Sequence, residues 1–307
     1  MLEHFPRTAQ QFDAEFGSEE MCWQYLARAR WPDGIRCTRC GSTTVWRLNR
    51  GRVLECQCGH QGSVTAGTIF HRTRKPLHLW FKAIFLMTTL KTGVSAMALS
   101  NLLGLTYKVA WPWLHKLRAA IASRTLEPLR GKVEADEAMV GGVEEGTNGG
   151  RVHGKKAFVL VAAEDQGLRT GRVRLQVVPD ASYASLGGAI KANVKLGSEV
   201  HTDGWRGYSR LKYEDYTHLV DRVPRTEASK VFPHVHRAIS LLKRLLLGTY
   251  QGSVGKNHLQ AYLNEFTFKF NRRRSRFCTG PTKSLLALTV TAPPRPYRAI
   301  VGMTKAA

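Results

Sequence analysis

Hydrophobic residues recur at two spacings along this chain, and the change of spacing divides it into two parts. In the first part the spacing is helical, most clearly in the segment that starts at Pro76 and repeats apolar residues every three or four positions. From about residue 131 short apolar or alternating runs indicate strands, and helical patterns then follow. Strands that lead into a strand–helix alternation predict a mixed α/β (α+β) domain. Its predicted strands are 133–140, 157–163, 172–178, 199–202 and 216–220, and its predicted helices lie around 184–190, 234–247 and 257–270.

Two helical segments of the first part have the spacing of a helix-turn-helix, which is also the spacing of an ordinary helical hairpin. They cover 95–103 and 107–120, and Gly104 begins the turn between them. In the DNA-binding motif the start of the second helix reads base edges, and Tyr107 and Lys108 lie there. Pro112 lies inside the second helix and predicts a bend. The side chains predicted to reach DNA phosphates are His115, Lys116 and Arg118.

Four of the six cysteines crowd into residues 37–58. Cys37 and Cys40 are two residues apart, whereas Cys56 and Cys58 have one residue between them. In a reducing compartment such pairs indicate tetrahedral zinc, and four free thiols are the alternative. Either both members of the second pair bind the ion, or His60 replaces one of them. The nearby arginines predicted to contact DNA are Arg36, Arg39 and Arg47.

The charge balance points to a polyanionic partner. The chain of 307 residues has 46 Lys and Arg against 23 Asp and Glu, a net charge of +23 that is spread along its length. Double-stranded DNA is the expected partner. No run of eighteen apolar residues occurs, and the first residues lack the features of a signal peptide. The expectation is therefore a cytoplasmic, nucleoid-associated protein without a membrane partner.

Because acids are scarce, those in strand-like segments are candidates for chemistry. In a strand at 133–140, Glu134 and Asp136 face one side and Glu137 the other. Asp203 ends a second strand and is followed by Gly204. Two carboxylates at the ends of adjacent strands can bind a divalent ion and clamp a phosphate, although acids of this kind are mostly surface residues when taken singly.

The predicted helix 234–247 carries a possible third group. His236, Ser240 and Lys243 form one stripe along it, and the stripe predicted to pack consists of Val235, Ile239, Leu242 and Leu246. A histidine and a lysine turned away from the core could reach a metal ion and a phosphate. A solvated polar face has the same periodicity.

Six segments in a fixed order carry a resemblance that extends from about residue 5 to 274: RWPDGIRCTRCG, SVTAGTIFHRTRKPLHLWF, VEADEAMVGG, HTDGWRGY, KRLLLGTYQG and YLNEFTFKFNRRR. Together they resemble the zinc-ribbon-bearing insertion-sequence transposases of the ISXO type. The resemblance implies a ribonuclease-H-like (retroviral-integrase-like) catalytic domain of the DDE superfamily, behind an N-terminal zinc ribbon and helix-turn-helix. It also implies a homo-oligomer that binds terminal inverted repeats and joins them to target DNA.

The family motifs assign roles to residues of this chain. They imply that Asp136, Asp203 and His236 bind two divalent ions, Mg²⁺ or Mn²⁺, and that Lys243 neutralises phosphate charge. His236 takes the place of the Glu or Asn of other branches, which favours Mn²⁺ because that ion accepts imidazole more readily. His234 does not match the motif spacing. The residues expected to contact the DNA backbone after the last motif are Arg272, Arg273 and Arg274.

The predicted organisation is a helical lead-in at 1–30, a zinc ribbon at 31–75, a helix-turn-helix region at 76–125, a catalytic domain at 131–274 and a basic, Pro-containing tail at 275–307. Three other functions remain open at this point. The chain could be a catalytically inactive DNA-binding regulator derived from a transposase, a structural nucleic-acid binder of ribosomal type, or a nuclease on the same fold.

Overall fold

The computed structural model describes residues 5–6, 8–48, 53–124, 126–141, 156–224, 226–274 and 280–302, which form two compact units. The elements of the first unit, 1–124 with 272–307, are α1 (Ala9–Phe16), α2 (Glu19–Arg30), β1 (Val45–Arg47), β2 (Val53–Cys56), β3 (Gln61–Ser63), α3 (Leu77–Thr89), α4 (Ala96–Leu103), α5 (Tyr107–Ala122), α10 (Pro281–Thr291) and α11 (Tyr297–Ile300). Those of the second, 125–271, are β4 (Lys132–Val140), β5 (Ala157–Asp165), β6 (Thr170–Val178), α6 (Tyr183–Asn193), β7 (Glu199–Thr202), a 3-10 helix (Arg206–Tyr213), β8 (Thr217–Val220), α7 (Ala228–Val231), α8 (Pro233–Gly248) and α9 (Lys256–Asn271).

The first unit joins a small antiparallel sheet to a helical core. Strands β1, β2 and β3 pair in that order, and the helices bury aromatic side chains such as Trp80 and Trp113, whose rings stack 3.8 Å apart. Helix α5 continues through Pro112 from Tyr107 to Ala122. Among the described residues no helix is both long and apolar enough to cross a membrane.

Residues 280–302, the described part of the predicted tail, form two helices that belong to the first unit. Helix α10 packs against α2, α3 and α5 of the first unit, and the hydroxyls of Thr88 and Thr282 lie 2.7 Å apart. The physical reason is that α10 carries apolar side chains at helical spacing, and Leu285 and Leu286 are fully buried. Pro281 at its first position fits the start of a helix. The sequence analysis missed this helix.

The second unit is built on a five-stranded mixed sheet in the order β6-β5-β4-β7-β8. The first three strands are antiparallel neighbours, whereas β7 is parallel to β4, and β8 is parallel to β7. Helices α8 and α9 cover one face over a core that includes Ala138, while α6 and the 3-10 helix cover the other face. This mixed sheet agrees with the predicted ribonuclease-H-like domain.

Side-chain amides of α9 cover the outer edge of β6. Asn271 accepts a hydrogen bond from the N–H of Val173 at 2.8 Å and donates one to its carbonyl at 3.1 Å. Gln260 accepts from the N–H of Val177 at 2.8 Å and donates to the carbonyl of Leu175 at 3.1 Å. Four of the backbone groups that this edge strand would otherwise expose are therefore already paired.

Candidate functional site

The parallel pairing of β4 and β7 brings Asp136 beside Asp203. In that ladder Glu134 lies opposite His201. Asp136 lies two residues after Glu134, near the middle of β4. Asp203 lies two residues after His201 and directly follows the last residue of β7. Since strand side chains alternate, both aspartates share the face of the sheet on which Glu134 and Ala138 lie, which is the face covered by α8. The sheet thus sets two carboxylates side by side beneath one helix.

A tight turn fixes the carboxylate of Asp203. Its Oδ1 accepts the N–H of Trp205 at 3.0 Å, and the indole of Trp205 donates to the carbonyl of Ala181 at 2.8 Å. Gly204 makes this turn possible with a φ of +79°, and a Cβ there would lie 2.8 Å from Cγ1 of Val220. The turn therefore orients the carboxylate of Asp203.

Helix α8 adds His236 to the pair. Its Nε2 lies 3.8 Å from Oδ2 of Asp136, whose Oδ1 accepts the N–H of Glu137 at 2.8 Å. Burial lowers the pKa of His236, and the charge of Lys243 lowers it further, whereas Asp203 opposes the shift. The imidazole is therefore neutral at pH 7, which is the form that binds a metal ion. Lys243 is exposed two turns along the helix.

The donor set suits divalent ions, and its arrangement is open. Two carboxylates and a neutral imidazole are the ligand types that Mg²⁺ and Mn²⁺ accept. Within the described part of the chain, the only group of three or more metal-binding side chains whose ligand atoms come together closely enough to hold one ion is a set of cysteines. Asp136, Asp203 and His236 are spread more widely than that set.

The two histidines of α8, His234 and His236, lie in different environments. His234 is 6% exposed, with Nδ1 3.1 Å from Oγ1 of Thr170 and Nε2 2.9 Å from Oδ1 of Asp165. Beside it, Glu134 accepts the N–H groups of His234 and Val235. Burial raises the pKa of Glu134 despite those two donors. Both nitrogens of His234 are thus engaged inside the protein, while His236 faces the aspartates.

Glu137 and Tyr208 form a buried contact on the other face of the sheet. The hydroxyl of Tyr208 donates to Oε2 of Glu137 at 3.0 Å, and the tyrosine is completely buried. Burial, with the charges of Glu137 and Asp136, raises the pKa of Tyr208 well above its ordinary value. Glu137 therefore lies outside the group formed by Asp136, Asp203 and His236. Strand alternation predicted the faces of Glu134 and Glu137 but not their partners, which lie 71 or more residues away in the chain.

The small sheet of the first unit gathers four thiols. The Sγ atoms of Cys37, Cys40, Cys56 and Cys58 all lie within 4.8 Å of one another. Those of Cys37 and Cys58 are 3.8 Å apart, and those of Cys40 and Cys56 are 3.5 Å apart. The N–H of Cys40 lowers the pKa of the Cys37 thiol to about 6, which favours the thiolate that zinc binds. Four convergent thiols fit structural Zn²⁺.

His60 takes no part in that cluster. Its Nε2 lies 3.0 Å from the hydroxyl of Thr38. Both cysteines of the short second pair reach the other two, because the turn at Gly59, with a φ of +74°, folds the strand connection tightly. Of the nearby arginines, Arg47 pairs with Glu20 at 2.6 Å and lies 4.1 Å over the ring of Trp23.

The two helices of the predicted helix-turn-helix lie where the sequence placed them, in an order that an ordinary helical hairpin shares. Helix α4 ends at Gly104, which has a φ of +60°, and α5 packs against α4. Tyr107 and Lys108 are exposed at the start of α5. His115 and Arg118, however, are only 5% and 1% exposed, so the prediction that they reach phosphates is wrong.

The burial of those two residues has a packing cause. Helix α5 contacts α3, α10 and α11 in addition to α4, so its second half is enclosed. The ring of His115 packs 4.1 Å from that of Trp111. Lys116 is half-buried, with its ammonium 5.9 Å from the ring of Trp80, and burial lowers its pKa. After α9, Arg272 is half-buried, and Arg273 and Arg274 are exposed.

Comparison with known proteins places both sites in recognised domains. Residues 128–271 match the ISXO2-like transposase domain, and residues 17–61 match the transposase zinc-ribbon domain. The chain is also 26% identical over 276 residues to an uncharacterized protein in the transposable element ISH50 of Halobacterium salinarum, an alignment that covers 83% of this chain and 91% of that relative. The four cysteines lie in the smaller match, and the two aspartates with His236 lie in the larger one.

Proposed function

We propose that this chain cuts and rejoins DNA for an insertion sequence. Its matches at 17–61 and 128–271 are to the zinc-ribbon and transposase domains of the ISXO-type DDE transposases, and it belongs to that family. Its substrates are the terminal inverted repeats of the element and a target DNA. One observation carries the proposal: the parallel pair β4–β7 sets Asp136 and Asp203 on the sheet face beneath α8, whose His236 lies 3.8 Å from Asp136.

Each group at this site has a distinct task. Asp136, Asp203 and His236 bind two divalent ions, and the imidazole favours Mn²⁺ over Mg²⁺. When bound, such ions lower the pKa of water and stabilise the leaving oxygen of a phosphodiester. The Trp205 N–H keeps the carboxylate of Asp203 oriented. Lys243, exposed on the same helix as His236, neutralises the phosphate that the ions hold.

The first unit supplies the DNA contacts. Zinc held by Cys37, Cys40, Cys56 and Cys58 stabilises the ribbon, and Tyr107 and Lys108 read base edges from the start of α5. The net charge of +23 supports binding of the DNA backbone. Lys116, Arg272, Arg273 and Arg274 are the proposed phosphate contacts, and each contact made steepens the log–log dependence of affinity on salt by about one unit. Synapsis of the two ends of the element suggests a homo-oligomer.

Strand transfer on DNA that carries the element's ends tests this function. The full-length protein should cleave the repeat and join its 3′ end to a target only when Mg²⁺ or Mn²⁺ is present. Asp136→Ala should abolish both steps without loss of DNA binding. Glu199→Gln is the matched control, because Glu199 starts β7, the strand that ends beside Asp203, and pairs with Lys132 at 3.8 Å.

The outcomes distinguish the alternatives. Tight binding of the repeats by the wild-type protein without cleavage would identify a regulator, and cleavage without joining would identify a nuclease. If the protein binds DNA without sequence preference, and Asp203→Asn leaves that binding unchanged, it is a structural nucleic-acid binder. Activity retained in Asp136→Ala would overturn the proposed site.

A further inference from the structure

Helix α8 has no capping side chain of its own. It begins at Pro233 after Phe232, and no side chain at its N-cap accepts a hydrogen bond. Glu134 of β4 supplies the acceptor: its Oε2 accepts the N–H of His234 at 2.9 Å and that of Val235 at 2.8 Å. Glu134 is 4% exposed, so these donors replace the water that a carboxylate would otherwise bind. A buried acid thus ties the first turn of α8 to the sheet.

A second set of contacts holds the same turn from the side. The ring of His234 reaches Thr170 of β6 at 3.1 Å and Asp165 of β5 at 2.9 Å. Its Nε2 also lies 3.9 Å from Oε1 of Glu134. Because the cap fixes the end of the helix and the ring contacts fix its rotation, α8 has little freedom to move against the sheet.

The tethered positions adjoin the proposed metal ligands. Glu134 precedes Asp136 by two residues on the same face of β4, and His234 precedes His236 by two residues on α8. The link between Glu134 and α8 therefore joins the strand that carries Asp136 to the helix that carries His236. The 3.8 Å separation of those two ligands depends on it.

We propose that Glu134 is a positioning residue of the DNA-cleaving site, which caps α8 and thereby holds His236 against Asp136. His234 acts with it through Thr170 and Asp165. The consequence for metal binding rests on the proposed function, whereas the capping itself does not. A carboxylate that orients a metal ligand in this way changes metal affinity without touching the ion.

Two substitutions test the proposal through the affinity of the full-length protein for Mn²⁺. The affinity is measured from the electron paramagnetic resonance signal of the free ion. Glu134→Leu removes both hydrogen-bond acceptors and should weaken Mn²⁺ binding about 10- to 100-fold. Glu134→Gln keeps an oxygen that can accept both N–H groups and should bind Mn²⁺ within about threefold of the wild type. Exchange of the His234 and Val235 amide protons should accelerate in Glu134→Leu and stay close to wild type in Glu134→Gln.

Glu19→Leu is the matched control, because Oε2 of Glu19 accepts the N–H of Leu77 at 2.5 Å and caps α3 in the other unit. It removes the same kind of contact and should leave Mn²⁺ affinity unchanged. Thr170→Val removes the hydroxyl beside His234 at nearly constant volume and should weaken Mn²⁺ binding about two- to fivefold. This variant and Glu134→Gln carry the test should Glu134→Leu fail to fold.

Wild-type Mn²⁺ affinity in a folded Glu134→Leu protein would overturn the proposal. Equal weakening in Glu134→Gln and Glu134→Leu would also overturn it, because charge rather than capping would then be responsible. An unfolded Glu134→Leu together with an unaffected Thr170→Val would do the same. If the wild-type protein binds no Mn²⁺, the proposed function fails, and with it the positioning of a metal site. Unchanged exchange of the His234 and Val235 amide protons in Glu134→Leu would refute the capping of α8, and with it the proposed way of holding His236.

Discussion

The cysteine cluster and the proposed acidic site of this chain differ in how they are assembled. The four cysteines come from residues 37–58, around strands of three or four residues that bury little apolar surface apart from Leu54. Asp136, Asp203 and His236 come from three distant elements that pack on the two cores of a five-stranded sheet.

The difference concerns what holds the ligands in place before an ion arrives. A small ribbon with little core needs its ion in order to fold. The acidic site is held by a strand ladder, by the turn at Gly204 and by the cap of α8, none of which includes a metal ion. The first cluster is therefore expected to depend on metal for its structure, and the second for its activity alone.

Removal of zinc gives the largest expected effect. Cys40→Ser should unfold the ribbon, since binding of structural zinc contributes on the order of 10 kcal/mol. Hydrogen exchange of residues 37–61 should rise to that of an unfolded chain, while β5 and β6 of the second unit stay protected. His60→Ala is the control, because its Nε2 contacts Thr38 rather than the thiols. A ribbon that keeps its protection without zinc would remove the contrast between the two clusters.

Asp203→Asn should separate activity from stability at the second site. The expected loss of DNA cleavage is at least about a thousandfold, which corresponds to several kcal/mol of lost transition-state stabilisation. The melting temperature in a buffer without divalent ions should not fall, because an Asn oxygen can still accept the Trp205 N–H and repulsion from Asp136 is relieved. Addition of Mn²⁺ should raise the melting temperature of the wild type only. Marked destabilisation without metal would show that the carboxylate itself holds the site together.

Glu164→Gln tests whether the second unit draws its stability from contacts that involve no metal. Burial raises the pKa of Glu164, but hydrogen bonds from the side chain and N–H of Arg172 outweigh this effect, so the folded pKa lies below its ordinary value. The ion pair therefore stabilises the fold above the unfolded pKa of about 4.3, and this stability is lost as pH falls through the folded pKa. The substitution should cost about 2–3 kcal/mol at pH 7.

Urea unfolding between pH 7 and pH 3 measures that dependence. The difference between the wild type and Glu164→Gln should shrink once the pH falls below the unfolded pKa of about 4.3 and through the lower folded pKa, because the wild-type carboxylate then becomes protonated. A difference that stayed constant over this range would contradict the assignment of the stabilisation to the charged carboxylate.

Gly204→Ala should lower the free energy of unfolding by about 1–2 kcal/mol, because alanine is strained at a φ of +79° and its Cβ would press on Val220. Cleavage should fall by more than this loss of stability explains, since the turn orients Asp203. Gly188→Ala in α6 has open space and should stabilise by about 0.5–1 kcal/mol. Thermal unfolding and cleavage rates measured on both variants decide the outcome, and full activity in Gly204→Ala would contradict the role of the turn.

The sequence predicts most of the second unit because its signals are local. Periodicity places α8 at 234–247 against an observed Pro233–Gly248, and alternation places β4 at 133–140 against Lys132–Val140. The cysteine pairs also lie close together in the chain. The proximity of Asp136 to Asp203 depends instead on which strands pair, and only the resemblance to a known family indicated that pairing.

Contacts between distant elements escape such reasoning. Glu19 lies in the first turn of α2, yet its side chain caps α3, 58 residues away. Glu134 caps α8 across 100 residues. His115 and Arg118 resemble phosphate ligands by residue type alone, and their burial follows from the helices packed on α5. Each of these depends on tertiary packing, which a single-sequence pattern does not contain.

The amides of Gln260 and Asn271 along β6 also affect how copies of this protein can meet. A foreign strand could add to this edge only after displacing them, so two sheets cannot merge there into one continuous sheet. Even where many copies are crowded together, this edge is therefore a poor template for the growth of fibres.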